Sequence, residues 1–263
     1  MNDTPPKFRI WAQGGTDHIG HASYLAKLLP HLQSVLDPGF SLDFQTITPS
    51  VTSTHALTEF RFGRAAVRGA IEAKRQGYDA YFMNHFQDAG LAEARAAVDI
   101  PVFGLGETTL LHACLLGRKI GLIAINPAFV PWHEDQVIRH GLQQRVVGVR
   151  TIDATIADYM EAFVVESTKA RLHEIFLREA RALLAAGADV IVPTGGIPMM
   201  LFGAEPGANV DGAPIVNGVT VVVKAVEMAI KLRQLGHSGI SRRPSSGYAL
   251  PNAQVLDEFL NHG

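Results

Sequence analysis

Short apolar segments alternate with longer amphipathic segments along most of the chain. Short apolar runs are typical of strands buried on both faces, and apolar residues at helical spacing predict amphipathic helices. The predicted strands are Phe8–Ala12, Leu42–Thr46, Ala80–Met83, Val102–Leu105, Ile120–Ile125, Val146–Arg150, Val190–Val192 and Pro214–Val216. The predicted helices are His18–Leu36, Ala56–Gln76, Leu91–Ala97, Thr108–Leu116, Trp132–His140, Ser167–Ala186 and Thr220–Leu235. This alternation is typical of parallel sheets with helices on both faces.

Residues suited to helix ends support these helices. Gly77 and Gly187 follow two of the helices, where a left-handed C-terminal residue is common. Thr16 or Asp17 is predicted to cap the first helix, and Thr108 to begin another.

One sequence pattern occurs twice. The segments 77–85 and 187–195 each have Gly, any residue, Asp, four apolar residues and then a polar or small end, and each follows a helix. Strands led by proline follow at Pro101 and Pro214. Two similar α/β lobes that face each other would explain the repeat, although βα units also resemble one another by chance. Ligands of open parallel sheets bind at the carboxyl ends of the strands, here His85 and the turn 194–196.

Composition indicates a globular protein and gives no sign of an electrostatic partner. The chain has 263 residues, of which 47% are hydrophobic, and that suffices for one large core or two fused α/β lobes. The net charge is −2 and Lys and Arg are dispersed, so neither nucleic acid nor an anionic membrane is an expected partner. The apolar runs fall short of the roughly 18–20 residues of a membrane span, and the polar segment Met1–Lys7 does not resemble a signal peptide.

The chain has one cysteine, Cys114, in an apolar helical segment. An intramolecular disulfide is therefore excluded, a reducing compartment and a cytoplasmic location are expected, and Cys114 is interpreted as a small buried apolar residue. The sequence has neither HExxH nor CxxC, so no metal site is predicted. Gly104–Thr109 has no lysine, and no GxGxxG follows the first strand, so neither a P-loop nor a dinucleotide site is predicted.

His85 is the main catalytic candidate because an imidazole at a strand end can exchange a proton near neutral pH. The alternative is a loop histidine with a structural hydrogen bond. Asp88 either orients His85 or caps a helix. The turn Thr194–Gly195–Gly196 offers a hydroxyl and backbone N–H groups for a carboxylate or an enolate oxygen, or is a plain tight turn.

Other polar residues near predicted strand ends complete the candidate set. Glu107 is a candidate supporting residue of the cleft. One helix carries Arg61, Arg64 and Arg68, and they either form a solvated face or allow Arg61 or the nearby His55 to contact a substrate carboxylate. His112 and His133 are interpreted as structural. The candidate substrate-binding residues are Gln13, Gly14, Asn84, Thr108, Asn126, Gly195 and Gly196.

Five segments in order resemble motifs of hydantoin racemases, from about Phe8 to Leu235. They are residues 85–91 (HFQDAGL, similar to CFDDPGL), 100–107 (IPVFGLGE, similar to VPVVGIGE), 117–123 (GRKIGLI, similar to LGRRFSVV), 187–196 (GADVIVPTGG, similar to GADAIVLGCAG) and 214–219 (PIVNGV, similar to PVIDGV). The chain thus resembles the aspartate/glutamate/hydantoin racemase superfamily.

That resemblance implies a cofactor-independent enzyme with one catalytic cysteine from each of two lobes. The two cysteine positions fall on His85 and Gly195, with Thr194 adjacent to the second, so neither lobe has a thiol at its strand end. Relatives include maleate isomerase and arylmalonate decarboxylase, so the fold does not define the reaction.

The expected fold is α/β, with two pseudo-symmetric Rossmann-like lobes, parallel sheets and an interlobe cleft. The expected boundaries are residues 1–104 with 216–235 for the first lobe, 105–215 for the second, and 236–263 for a C-terminal extension. In that extension, Gly236–Pro251 is predicted to be an extended tail that packs on a neighbouring subunit or is mobile, and Asn252–Asn261 a short helix. A homo-oligomer is expected.

The resemblance implies a cofactor-independent racemase or isomerase, and the expected function is one-sided proton transfer on a small carboxylate or a hydantoin-like cyclic amide in the interlobe cleft. His85 would be the base or acid and Thr194 the oxyanion partner. The alternatives are a decarboxylase, lyase or hydrolase with the same cleft, or a non-catalytic small-molecule binding protein.

Overall fold

The computed structural model describes residues 7–49, 54–237 and 239–262, so most of the segment Met1–Lys7 lies outside the described residues. The strands are β1 (Phe8–Gly14), β2 (Phe40–Gln45), β3 (Ala80–Asn84), β4 (Val102–Gly104), β5 (Ile120–Ala124), β6 (Val146–Thr151), β7 (Val190–Pro193), β8 (Asn209–Val210) and β9 (Ala213–Pro214). The helices are α1 (Ala22–Ser34), α2 (Ala56–Arg75), α3 (Leu91–Ala97), α4 (Leu105–Leu116), α5 (Val130–Arg139), α6 (Ile156–Ala162), α7 (Glu166–Ala185), α8 (Gly196–Phe202), α9 (Gly218–Gln234) and α10 (Ala253–Asn261). None of the helices within these ranges is long and apolar enough to cross a bilayer.

The strands form two parallel sheets. The first has the order β2-β1-β3-β4 and the second the order β6-β5-β7, and every pairing within them is parallel. In the first sheet Trp11 pairs with Tyr81, and in the second Leu122 pairs with Val192. The predicted α/β class with parallel sheets is confirmed, whereas the assignment of chain segments to lobes stays a prediction.

One apolar core joins the two sheets. It includes Ile10 and Phe82 from the first sheet and Leu122 and Val190 from the second, all fully buried. A second cluster fills the other side of the first sheet, where Phe62 of α2 packs with buried residues of β1 and β3. The carboxyl ends of the central strands are therefore held next to each other by continuous packing.

Several element boundaries differ from the prediction. The first helix begins at Ala22 because the Asp17 carboxylate accepts the N–H groups of Ile19 and Gly20 and closes a turn before it, so neither Thr16 nor Asp17 caps the helix. Helix α4 begins at Leu105, not at Thr108.

The C-terminal half contains further differences. The predicted strand at residues 214–216 is mostly absent: β9 pairs with β8 in antiparallel orientation, and Ile215 makes one parallel bridge to Ile191. Helices α6 and α8 were not predicted, although Thr155 and Asp158 form a capping box at the beginning of α6. The predicted short C-terminal helix is confirmed as α10.

Helices α2 and α3 touch through two glycines. A Cβ atom at Gly90 would lie 2.5 Å from the carbonyl oxygen of Gly63, and Gly90 has a φ of +82°. Gly63 follows Phe62, whose ring lies beneath His85, so this contact sets the position of α2 under the strand end.

We expect Gly90→Ala to lower the free energy of unfolding by more than Gly141→Ala. Both glycines have a positive φ, and an alanine in this left-handed conformation costs about 1–2 kcal/mol. A Cβ atom at Gly141, however, would have no other atom within 4 Å. Gly90→Ala adds an overpacking cost of about 1–3 kcal/mol. Urea denaturation of both variants measures the difference, and equal losses would show that the contact with Gly63 is unimportant.

Candidate active site

A cavity of about 110 Å³ lies at the carboxyl ends of β1, β3, β5 and β7. The two sheets supply opposite parts of its lining, and α1 and α2 add one side chain each. Its lining includes Thr16, His21, Tyr24, Glu59, Asn84, His85, Ile125, Thr194, Gly195 and Gly196. The structure thus brings His85 and the turn 194–196 to one cavity, in the region where the strand-end rule places a ligand.

His85 is held between an aromatic ring and a carboxylate. Its ring stacks on Phe62 with a centroid separation of 4.0 Å, and its Nε2 lies 3.5 Å from Oε1 of Glu59. Nδ1 is buried and has no hydrogen-bond partner within the described ranges, and the same is true of Oε2 of Glu59. The imidazole therefore has a fixed plane, an anionic neighbour at one nitrogen and an unpaired second nitrogen.

Asn84 and Tyr24 join the two halves of the cavity. Asn84 Nδ2 donates to the Tyr24 hydroxyl at 3.1 Å, while Asn84 Oδ1 is buried without a partner in the described part of the chain. Burial raises the pKa of Tyr24 far above its ordinary value, so this hydroxyl stays neutral. A Cβ at Gly196 would lie 2.5 Å from the Tyr24 oxygen, so only glycine allows this close approach.

Thr194 belongs to a buried series of hydrogen-bonded side chains. Its Oγ1 lies 2.8 Å from Nε2 of His133, and Nδ1 of His133 lies 3.0 Å from Oε1 of Gln136. Gln136 Nε2 donates to the carbonyl oxygen of Phe86 at 2.5 Å. Burial lowers the pKa of His133 to about 4, so His133 is neutral at physiological pH. The interpretation of His133 as structural was incomplete, because His133 contacts a residue of the cavity.

Two predicted residues of β1 do not line the cavity. Gln13 is buried toward α2, where its Oε1 accepts from the Tyr81 hydroxyl at 3.1 Å. Gly14 packs against the Phe44 ring. Gly15 and Thr16, just beyond the strand, take their place in the lining.

Three further candidates have structural roles outside the cavity. Thr108 lies within α4. Asn126 caps the short 3₁₀ turn 127–129 by accepting the N–H of Ala128. Glu107 forms an ion pair with Arg95 at 2.7 Å.

Asp88 is a helix cap and does not orient His85. Its carboxylate accepts the N–H of Gly106 at 3.0 Å and that of Glu107 at 2.5 Å, at the beginning of α4. Burial raises its pKa from 3.8 to about 7. Of the two alternatives, capping is therefore the one that the structure supports, although the capped helix is α4 and not the adjacent α3.

The basic residues of α2 also lie outside the lining. His55 caps α2 by accepting the N–H of Leu57, Arg61 donates to the carbonyl of Pro49, and Arg68 donates to that of Leu260 in α10. No Lys or Arg is present among the described residues that line the cavity. Cys114 is half-buried and also lies outside this lining.

Sequence reasoning missed Glu59, Tyr24 and the pair His133–Gln136. Glu59 and Tyr24 reach the cavity from helices, and no local pattern marks them. His133 and Gln136 are three residues apart on α5, a spacing that places both on one helix face and that could have indicated a pair.

Comparisons with known proteins agree with this geometry. The Asp/Glu/Hydantoin racemase family model matches residues 20–226. A hydantoin racemase from Rhizobium meliloti is 30% identical over 157 residues, which cover 59% of this chain and 62% of that protein, so the match spans less than two thirds of the relative's length.

Solved structures show the same fold. Allantoin racemase from Klebsiella pneumoniae has a TM-score of 0.76 at 20% identity, with 93% of this chain and 94% of that chain covered. A liganded variant of arylmalonate decarboxylase has a TM-score of 0.63 at 18% identity, with coverages of 93% and 97%.

We expect Asp88 to make stability depend on pH. Between pH 3.8 and about 7 the folded chain holds a proton on Asp88 that the unfolded chain has released, so the free energy of unfolding falls as the pH rises through this window. Asp88→Asn, which tolerates the left-handed φ of 54°, should have a shallower slope. Urea denaturation between about pH 5 and pH 8 measures both slopes, and parallel curves would contradict this role of Asp88.

Proposed function

Because the chain belongs to the Asp/Glu/Hydantoin racemase family, we propose that it is an isomerase-type enzyme that transfers a proton at a carbon of a small cyclic amide in this cavity, without a cofactor. The observation that carries the proposal is the His85–Glu59 pair, which holds an imidazole with one unpaired nitrogen at the strand end. By the resemblance of residues 85–91 to the hydantoin racemase motif, His85 falls at a cysteine position of the family.

His85 is the proposed acid and base. Its Nδ1 takes a proton from the carbon next to a carbonyl group, and the Glu59 carboxylate at Nε2 stabilises the imidazolium that forms. The stack on Phe62 keeps the ring in one plane during both transfers. We assign the enolate oxygen to the turn Thr194–Gly195–Gly196, which comes from the other sheet and lines the same cavity.

The charge of the cavity favours a cyclic amide over a carboxylate substrate. The described lining has no Lys or Arg and contains the carboxylate of Glu59, so a substrate carboxylate would be buried beside a like charge. A volume of about 110 Å³ also suits a small ring. The name of the 30% identical relative, hydantoin racemase, agrees with this choice.

The two sides of the cavity differ in proton chemistry. His85 is an ordinary base, whereas a threonine hydroxyl has a pKa far above neutrality and does not readily protonate a carbanion. We therefore expect one-sided chemistry, namely isomerisation, decarboxylation, elimination or hydrolysis, and slow or absent racemisation of free amino acids. Among these, decarboxylation is the least favoured because its substrate is a carboxylate.

We expect His85→Ala to lower kcat on 5-substituted hydantoins by about 10²–10⁴-fold, the usual cost of a lost general acid–base group. The fold should persist because His85 lies at a cavity and not in the core. His112→Ala, a histidine of α4 outside the cavity lining, is the matched control. Steady-state kinetics measures both variants, with circular dichroism as the check on folding.

The assignment of His85 would be wrong if the variant kept more than about a tenth of the wild-type kcat, since the lower limit of the general acid–base effect is about a hundredfold. A wild-type protein that binds hydantoins without turning them over would instead be a binding protein.

We also expect solvent deuterium to enter the stereocentre of a 5-substituted hydantoin from only one enantiomer. Proton removal needs a base on the correct face, and we assign that role to His85 alone, since the other imidazole of the lining, His21, accepts the backbone N–H of Asp17 at its Nδ1. The measurement is NMR of each enantiomer incubated with the enzyme in deuterated water. Exchange from both enantiomers at comparable rates would show that both faces are served and would overturn the one-sided model.

A further inference from the structure

The positions of the protons in the Thr194–His133–Gln136 chain follow from its last member. The Phe86 carbonyl only accepts hydrogen bonds, so the group of Gln136 at 2.5 Å from it must be the amide nitrogen. Gln136 Oε1 then faces Nδ1 of His133 at 3.0 Å and requires a proton on that nitrogen.

The neutral state of His133 determines the direction of the next hydrogen bond. A buried neutral imidazole with its proton on Nδ1 has an unprotonated Nε2, which only accepts. The Thr194 hydroxyl, 2.8 Å away, must donate to it. The other acceptor within reach, the carbonyl of Ile123, is farther away at 3.3 Å.

With its hydrogen used by His133, the Thr194 oxygen has only lone pairs to offer to the cavity that it lines. Two other buried oxygens of the lining, Asn84 Oδ1 and Glu59 Oε2, are acceptors without a partner in the described ranges. A ligand with N–H groups would suit a cavity whose lining residues carry these acceptors.

From this arrangement we infer that Thr194 binds the substrate by accepting one of its ring N–H groups, and that His133 and Gln136 are positioning residues that hold the hydroxyl in this direction. The identity of the ligand rests on the proposed function, whereas the direction of the hydroxyl does not. Within the turn 194–196, stabilisation of the enolate oxygen is then left to the backbone N–H of Gly196, because the N–H of Gly195 donates to the Pro193 carbonyl oxygen at 3.2 Å.

The direction of the hydroxyl is tested by ¹⁵N NMR of His133 in the free protein. We expect the Nδ1–H tautomer throughout the neutral pH range, with an Nε2 resonance that moves in Thr194→Val and stays close to the wild-type position in Thr194→Ser. In Gln136→Met, which removes the acceptor of the Nδ1 proton, the second tautomer should appear. An Nε2–H tautomer in the wild-type protein would overturn the inference.

The contact with the ligand is tested by calorimetry with hydantoin, 1-methylhydantoin and 3-methylhydantoin. We expect methylation of one ring nitrogen to weaken binding to the wild-type protein and to Thr194→Ser. Thr194→Val should bind hydantoin about two- to tenfold more weakly, as expected for the loss of one neutral hydrogen bond. It should bind that methylated hydantoin and hydantoin itself with similar affinity. The kcat of Thr194→Val should change less than its KM, because an N–H contact is made equally in the ground and transition states.

The outcomes separate the two proposals. Equal hydantoin affinity of the wild type and Thr194→Val would overturn the acceptor role while the proposed function stands. A wild-type protein that binds none of the three rings would overturn both the proposed function and the ligand assigned to Thr194, and the NMR result would still decide the direction of the hydroxyl.

Discussion

Helix α9 links the two sheets because its buried face packs directly on the first sheet and, through two other helices, on the second. Val219, Val222 and Val226 are fully buried, and the helix contacts β3 and β4 of the first sheet as well as α4 and α8, which contact β7 of the second. Burial of a valine side chain contributes about 1.5–3 kcal/mol, so this face is a large part of the apolar core. The strand ends that carry His85 and Thr194 therefore belong to one packed unit.

Two histidines near the cavity have opposite surroundings, and this difference divides their roles. His85 has a carboxylate neighbour and a partly exposed ring, which suits proton exchange. His133 is fully buried between the Phe86 and Phe129 rings, and burial holds its pKa near 4. An imidazole that stays neutral keeps a fixed tautomer, which is what the orientation of a neighbouring hydroxyl requires.

The parts of the structure that depend on local pattern were predictable from the sequence. Strands β1, β3, β5 and β7 are short, almost completely buried apolar runs, and such runs stand out from amphipathic helices, whereas the edge strands β2 and β6 are only partly buried. His85 and Thr194 line one cavity because parallel strands bring their carboxyl ends together, whereas their roles stay predictions. Helix α8 was missed because its Gly-Ile-Pro beginning is typical of a turn.

The parts that depend on tertiary contacts were not predictable. Side chains of a strand alternate between its two faces, so Gln13 points toward α2 although it is adjacent to cavity residues in sequence. Glu59 reaches His85 only because α2 packs beneath β3, and Thr194 meets His133 across 61 positions of the chain. A local sequence pattern does not predict contacts between residues that are so far apart in the chain.

The contact between Gly63 and Gly90 also determines which parts of the cavity can be redesigned. It leaves no room for a side chain between α2 and α3, so α2, which carries both Glu59 and Phe62, cannot shift without moving the acid–base pair. A change in ligand size must therefore come from the loops that follow β1 and β5. Thr16 and Ile125 line the cavity from those loops and are the positions at which a library could alter specificity while His85 stays in place.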